Sequence, residues 1–274
     1  MSLRDLSTMS AQEAASIRIV FCDIDDTLTL DGRLPAVAYA AMERLAGNGI
    51  DVVPVTGRPA GWCDMIARIW PVRAVVGENG AFYFAYKPDE RRVKRVYWRT
   101  AEERAADRGK LEAIRAEVLD EIEGSGIASD QAYREADLAI DFCEDVEPLA
   151  HDRVAAIKAI FERHGAIAKV SSIHVNGWFG DYDKRRMCER YLADEHGLPF
   201  DAAQGLCAFV GDSPNDEPMF QAFPCSVGVR NLEDFLDDLG SRPTYLCRGR
   251  GGIGFAEFTD TIVNRLNSVL KKCR

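Results

Sequence analysis

No stretch of this 274-residue sequence reaches the ~18 apolar residues of a membrane span, and the N-terminal MSLRDLSTMSAQEAAS lacks the apolar centre of a signal peptide. Basic residues are outnumbered, 34 against 44 acidic, so the formal charge is −10. No basic stripe offsets it, which argues against nucleic acid or an anionic membrane as a partner. None of the eight cysteines forms a CxxC pair, and Cys22, Cys143 and Cys207 sit in apolar runs where a thiol behaves as a small hydrophobe. Reduced, mostly buried thiols and a cytoplasmic location are therefore expected. Internal repeats and low-complexity segments are absent. Residues 1 to about 15 read as a poorly ordered leader.

What is present is an ordinary globular composition, 47% hydrophobic and 28% charged, on a chain long enough to bury about three quarters of its unfolded surface without disulfides. Ile17 to Cys22 is a short β-branched and aromatic run, hence a strand. Pro35 opens a helix whose Ala38, Met42 and Leu45 share a face, and Gly47-Asn48-Gly49 ends it. A strand over Ile50 to Val55, a helix from Trp62 to Ile69 and a strand at Ala74 to Val76 follow. Strand and helix alternating at this spacing imply right-handed βαβ units and a parallel sheet. The pattern then changes to hairpins around two helices, one with Leu111, Ile114, Val118 and Ile122 on a face, the other with Val154, Ile157 and Phe161. After that the alternation resumes, with a helix from Lys184, a strand over Cys207 to Val210, a helix around Leu232 to Leu239 and a last helix from Gly254. The expectation is an α/β fold: a Rossmann-like parallel-sheet core made of residues 16–84 and 179–274, with an α+β cap inserted at 85–178.

Ligands of open parallel sheets bind beyond the carboxyl ends of the strands. Four polar groups fall at or near such places: Asp23-Ile24-Asp25-Asp26-Thr27, Thr56-Gly57-Arg58, Gly211-Asp212-Ser213-Pro214-Asn215-Asp216, and Lys184 just after the insert. Converging carboxylates repel one another unless a cation sits among them. Hard oxygen donors with no His or Cys nearby point to Mg²⁺ and not to zinc. A divalent ion, a lysine, a hydroxyl and helix-start N–H groups together suit a phosphate.

These residues carry a resemblance. DIDDT resembles the first motif, DxDxT, of the haloacid dehalogenase superfamily of phosphohydrolases; VTGR resembles the second, Lys184 the third and GDSPND the fourth. GENGAFYF resembles the segment that precedes the large α/β cap of the Cof-like, type IIB subclass. That subclass includes sucrose-phosphate, trehalose-phosphate and mannosyl-phosphoglycerate phosphatases and phosphomannomutase. The resemblance implies Asp23 as nucleophile, forming an aspartyl-phosphate, and Asp25 as general acid and base, with its backbone carbonyl on the metal. It implies Thr56 as a phosphoryl hydrogen-bonding group, Lys184 as counter-charge to Asp23 and phosphate, Asp212 as a direct metal ligand, and Asp216 as either a metal ligand or an acceptor for a group that the metal holds, with Asn215 orienting the site. A carboxylate at position 25, where ion-pumping relatives carry threonine, favours rapid hydrolysis of the phosphoenzyme. Asp26, at a position that is often glycine in the family, reads as a turn or helix-start residue.

Arg58 reads either as a phosphate contact or as the partner of an acid at a helix start. Gly57, Asn79 and His174 are candidate substrate contacts, although an Asn beside glycine also suits a tight turn and a lone His on a strand also suits packing. Gly251-Gly252-Ile253-Gly254 lacks dinucleotide-loop spacing and reads as a loop into the last helix. The expected activity is Mg²⁺-dependent hydrolysis of a small phosphorylated metabolite, a sugar or polyol phosphate. A phosphomutase of the same subclass and a non-catalytic metabolite or Mg²⁺ binder are the alternatives.

Overall fold

A computed structural model describes residues 3–171 and 173–272. The chain opens with β1 (Arg4–Asp5) and α1 (Ala11–Ser16), then β2 (Ile19–Cys22), α2 (Ala36–Gly47), β3 (Asp51–Pro54), α3 (Ala60–Ile69) and β4 (Val75–Gly77). A hairpin of β5 (Phe82–Lys87) and β6 (Arg92–Tyr97) leads to α4 (Ala101–Glu121), β7 (Gly126–Ile127), β8 (Asp137–Asp141), α5 (His151–Arg163), β9 (Ile167–Val170) and β10 (His174–Trp178). The last part holds α6 (Lys184–His196), α7 (Phe200–Ala203), β11 (Cys207–Gly211), α8 (Glu217–Ala222), β12 (Cys225–Gly228), β13 (Tyr245–Leu246) and α9 (Gly251–Lys272).

Six strands form one parallel sheet in the order β1-β13-β12-β11-β2-β3. Alternate residues of its central strands enter different apolar clusters: Val20, Cys22, Ala208 and Val210 pack on one side, Ile19, Phe21, Cys207 and Phe209 on the other. The period-two alternation of a strand thus buries both faces, as an all-parallel sheet requires. The first side is covered by α1, α2 and α9, which pack on one another, and the second by α6 and α8. Ala38, Met42 and Leu45 all face the core from α2, as their spacing predicts.

Residues 101–178 carry their own apolar cluster, with Leu111, Ile114 and Val118 of α4 and Ile157 and Phe161 of α5 packed on the sheet β7-β8-β10-β9. The boundary expected at residue 85 falls inside β5. Phe82 and Phe84 belong to one core cluster and Tyr83 and Ala85 to the other, so this hairpin is held by the core.

Several expectations are corrected. The N-terminal segment is not a loose leader: Arg4–Asp5 pairs with Tyr245–Leu246, and Leu6, Met9 and Ala14 are fully buried. The strand at 75–77 touches the parallel sheet through one bridge, Val55–Val76, and instead pairs antiparallel with β5. The cause is the turn Glu78-Asn79-Gly80, whose three left-handed residues (φ 44°, 55° and 107°) reverse the chain. Residues 230–235 form a 3-10 turn in place of an α-helix. Gly251 to Gly254 are the first turn of α9, not a loop. A Cβ on Gly252 would lie 2.5 Å from the Leu28 carbonyl oxygen, so glycine lets the helix start against that backbone.

Candidate active site

Asp23 directly follows β2 and Asp212 directly follows β11, the two adjacent central strands, and the Asp23 N–H donates to the Val210 carbonyl at 2.9 Å. Asp216 sits on the short turn Pro214–Asp216 and folds back, its Oδ2 accepting from the Asp212 N–H at 3.2 Å. A Cβ on Gly211 would lie 2.4 Å from that oxygen, so a glycine is what admits the carboxylate beside the strand. One carboxylate oxygen from each of Asp23, Asp212 and Asp216 lies within 4.8 Å of the others, and all three residues are buried. Thr27 donates to Asp212 Oδ1 at 2.9 Å.

Lys184 begins α6, where Asp183 caps the helix. Its Nζ donates to Asp23 Oδ1 at 2.6 Å and to Asp216 Oδ1 at 2.8 Å. The left-handed turn at 78–80 sets this register: a Cβ on Gly80 would lie 2.1 Å from the Asp183 carbonyl oxygen. Burial, helped by Asp216 and Asp25 and opposed by Lys184, raises the Asp23 carboxyl to about 7. Burial, with Asp216 and Asp23, likewise raises Asp212. Three carboxylates against one ammonium leave a formal charge of −2 in this pocket. An all-oxygen donor set with that imbalance fits one hard dication.

The side chain of Asp25 lies outside this trio. Arg58 holds it in a two-pronged grip, Nε and Nη2 donating at 2.9–3.1 Å. Of the two readings of Arg58, the structure therefore displays the acid pair. Thr56 is fully buried, its Oγ1 accepting from the Arg58 N–H at 3.0 Å. Asp23, Asp25, Gly57, Arg58, Asn79, His174, Lys184, Asp212 and Asn215 line one cavity, whereas Thr56 and Asp216 stand behind its wall. Asn79 packs on Gly57, where a Cβ would meet its amide at 3.2 Å. Asp26 adopts φ 57° in the turn after β2, consistent with a turn residue.

Residues the sequence did not single out complete the far wall. Glu78 is wholly buried and accepts backbone N–H bonds from Ala60 of the core and from Glu135, Ala136 and Asp137 of the inserted unit. Arg134 pairs with Asp130 and Asp137 and donates to the Gly57 carbonyl at 2.9 Å. Asp141 accepts from the N–H groups of Cys143, Glu144 and Asp145, which presents Glu144 to Arg58 (3.4 Å) and to His174 Nε2 (2.9 Å). Arg58 therefore joins the core to the inserted unit. The one local signal was Glu78 itself, the single charged residue in the run from Ala74 to Phe84.

Residues 20–107 match the family described as haloacid dehalogenase-like hydrolase. No curated protein sequence matches the chain. Among solved structures, the chain is similar to a Thermoplasma acidophilum protein (TM-score 0.69, 18% identity, 90% of this chain and 98% of that one). It is also similar to a HAD/COF-like hydrolase from Plasmodium vivax (0.65, 16%, 93% and 99%). A third likeness is to the sucrose-phosphatase of Synechocystis sp., solved with sucrose and phosphate (0.62, 15%, 89% and 97%). At these identities the structural likeness speaks for the fold. The family match covers residues 20–107, about a third of the chain, and the fold likeness extends over the rest.

Proposed function

We propose that the chain is a cytoplasmic, Mg²⁺-dependent phosphomonoesterase that cleaves a small sugar or polyol phosphate through an aspartyl-phosphate on Asp23. The observation that carries this reading is the buried trio Asp23, Asp212 and Asp216 bridged by Lys184 at the ends of adjacent parallel strands. The phosphatase likeness and the Synechocystis neighbour solved with sucrose and phosphate support it. Residues 101–178 act in this reading as the cap over the cavity.

Bound among Asp23, Asp212 and Asp216, Mg²⁺ would offset phosphoryl charge and align the transferred group. Lys184 favours the ionised form of Asp23 by its direct contact, and a carboxylate oxygen of that form attacks phosphorus. The bond from phosphorus to the leaving oxygen breaks as Asp25 delivers a proton to that oxygen, and Arg58 fixes the orientation of Asp25. Water then attacks the acyl-phosphate while Asp25 takes its proton, releasing phosphate and restoring Asp23. Closure of the cap wall, through Arg58, Asp130 and Glu144, limits the entry of bulk water.

The test is phosphate release from p-nitrophenyl phosphate and a panel of sugar and polyol phosphates, with Mg²⁺ or with EDTA. Turnover should require Mg²⁺, and Asp23→Asn should lower it about a thousandfold or more. Full turnover in Asp23→Asn removes the nucleophile assignment. Indifference to EDTA removes the metal. Isomerisation of a sugar phosphate without net phosphate release would make the protein a mutase.

A further inference from the structure

Asp25 is steadied from one side only. Among the described residues, its carboxylate accepts hydrogen bonds from Arg58 and from no other side chain, and 32% of its side chain is exposed. Where Asp25 points is therefore decided by where Arg58 points.

Arg58 stands just before α3, and its guanidinium is met on three sides. Nε and Nη2 face Asp25, the Trp62 ring centre lies 4.6 Å from Cζ, and Nη1 faces the inserted unit. Two acids stand there. Asp130 is the farther at 3.7 Å, and its two oxygens already accept from Arg134 Nε and Nη2 at 2.9 and 3.2 Å. Glu144 Oε1 is the nearer at 3.4 Å, and its Oε2 lies 2.9 Å from His174 Nε2. Glu144 is held from behind, because Asp141 accepts the N–H groups of residues 143–145 and the register of β8 on β10 sets Asp141 beside His174. The inserted unit thus presents one fixed carboxylate to the edge of Arg58 that Asp25 leaves open. So long a side chain keeps a single rotamer only while both edges of its guanidinium are engaged.

We infer that Glu144 is a positioning residue for proton transfer: acting from the inserted unit through Arg58, it sets the Asp25 carboxyl against the leaving oxygen. The inference rests on the phosphomonoesterase reading and gives the inserted unit a part in the chemistry beyond covering the cavity. The carboxyl proton passes to the leaving oxygen as the bond from that oxygen to phosphorus breaks. A misplaced Asp25 therefore slows a poor leaving group far more than a good one. Phenol departs with that proton, whereas p-nitrophenolate is stable enough to leave without it.

The experiment measures kcat/KM, which reports the steps up to the aspartyl-phosphate, for phenyl phosphate and p-nitrophenyl phosphate with Mg²⁺. The wild type is compared with Glu144→Gln, Asp25→Asn and the double variant, and with Glu144→Asp, which keeps the charge. Glu144→Gln should lower the value about tenfold for phenyl phosphate and about twofold for p-nitrophenyl phosphate, and Glu144→Asp should recover part of the difference. In the Asp25→Asn background, Glu144→Gln should change neither ester by more than about twofold, since the residue it acts on is already gone. The same factor on both esters, whether a loss or none, is what lost packing or a lost substrate contact would give. That result, or an undiminished tenfold loss in the Asp25→Asn background, overturns the inference and leaves the phosphatase reading intact. Absence of wild-type turnover on both esters overturns both.

Discussion

Lys184 holds two buried carboxylates at 2.6 and 2.8 Å, and its worth is clearest from its removal. Lys184→Met would leave Asp23 and Asp216 without their counter-charge, a change that costs about 3–5 kcal/mol when a buried pair is broken. The loss should depend on pH. With a folded-state pKa near 7 against an unfolded value near 3.9, ionised Asp23 is a burden on stability from about pH 4 upward, complete above 7. Thermal denaturation in EDTA should therefore show a large deficit for Lys184→Met at pH 7.5 and a smaller one at pH 5; an equal deficit at both would mean the lysine acts through packing. Glu78 makes a second residue-level case. Both its oxygens accept backbone N–H groups, so Glu78→Gln would turn an amide N–H toward other donors. A destabilisation of about 1–3 kcal/mol in chemical denaturation is expected, and a neutral result would show that the amides find other partners.

At the scale of elements, the hairpin of β5 and β6 is tied to α6 by Glu195, which accepts from Lys87 and, at 2.7 Å, from Lys94. These lysines, working against burial, hold the Glu195 carboxyl down to about 2. A depressed carboxyl adds stability above its unfolded pKa near 4.3 and loses it as pH falls toward 2. Glu195→Gln should lower Tm by a few degrees at pH 7, with the difference from wild type fading between pH 5 and 2; a difference constant with pH would contradict the ion-pair account. The elements most legible in the sequence were those with a local period, such as α2, α4 and α5, and the strands β2 and β11 with their acid-bearing ends. Least legible was β1, a two-residue strand made only by its partner, because Leu6, Met9 and Ala14 match no single period. The start of α9 was hidden by its glycines, which oppose helix locally and are there for the approach to residues 28 and 29.

For the whole molecule, three of the carboxylates legible in the strand-end motifs converge while Asp25 turns to Arg58, and the far wall was not legible, since Arg134, Asp137 and Glu144 gain their places only when the inserted unit packs on the core. That division has a physical basis: a parallel sheet brings its strand ends together by topology, whereas a cap contact depends on two surfaces meeting. The pocket's formal charge of −2 then gives a prediction about the entire fold. A ligand that binds only the folded chain stabilises it by about 2.7 kcal/mol at a hundredfold excess over its dissociation constant, and about 2 °C accompanies each kcal/mol at this size. Mg²⁺ added to EDTA-treated protein should therefore raise Tm by about 5 °C, in the absence of any substrate. Asp212→Asn cuts the imbalance to −1 and removes a donor, so it should abolish most of the shift while the unliganded variant melts no lower than wild type, since a buried repulsion is relieved. A shift of the same size in Asp212→Asn would place the ion elsewhere, and no shift in the wild type would mean that Lys184 alone balances the acids.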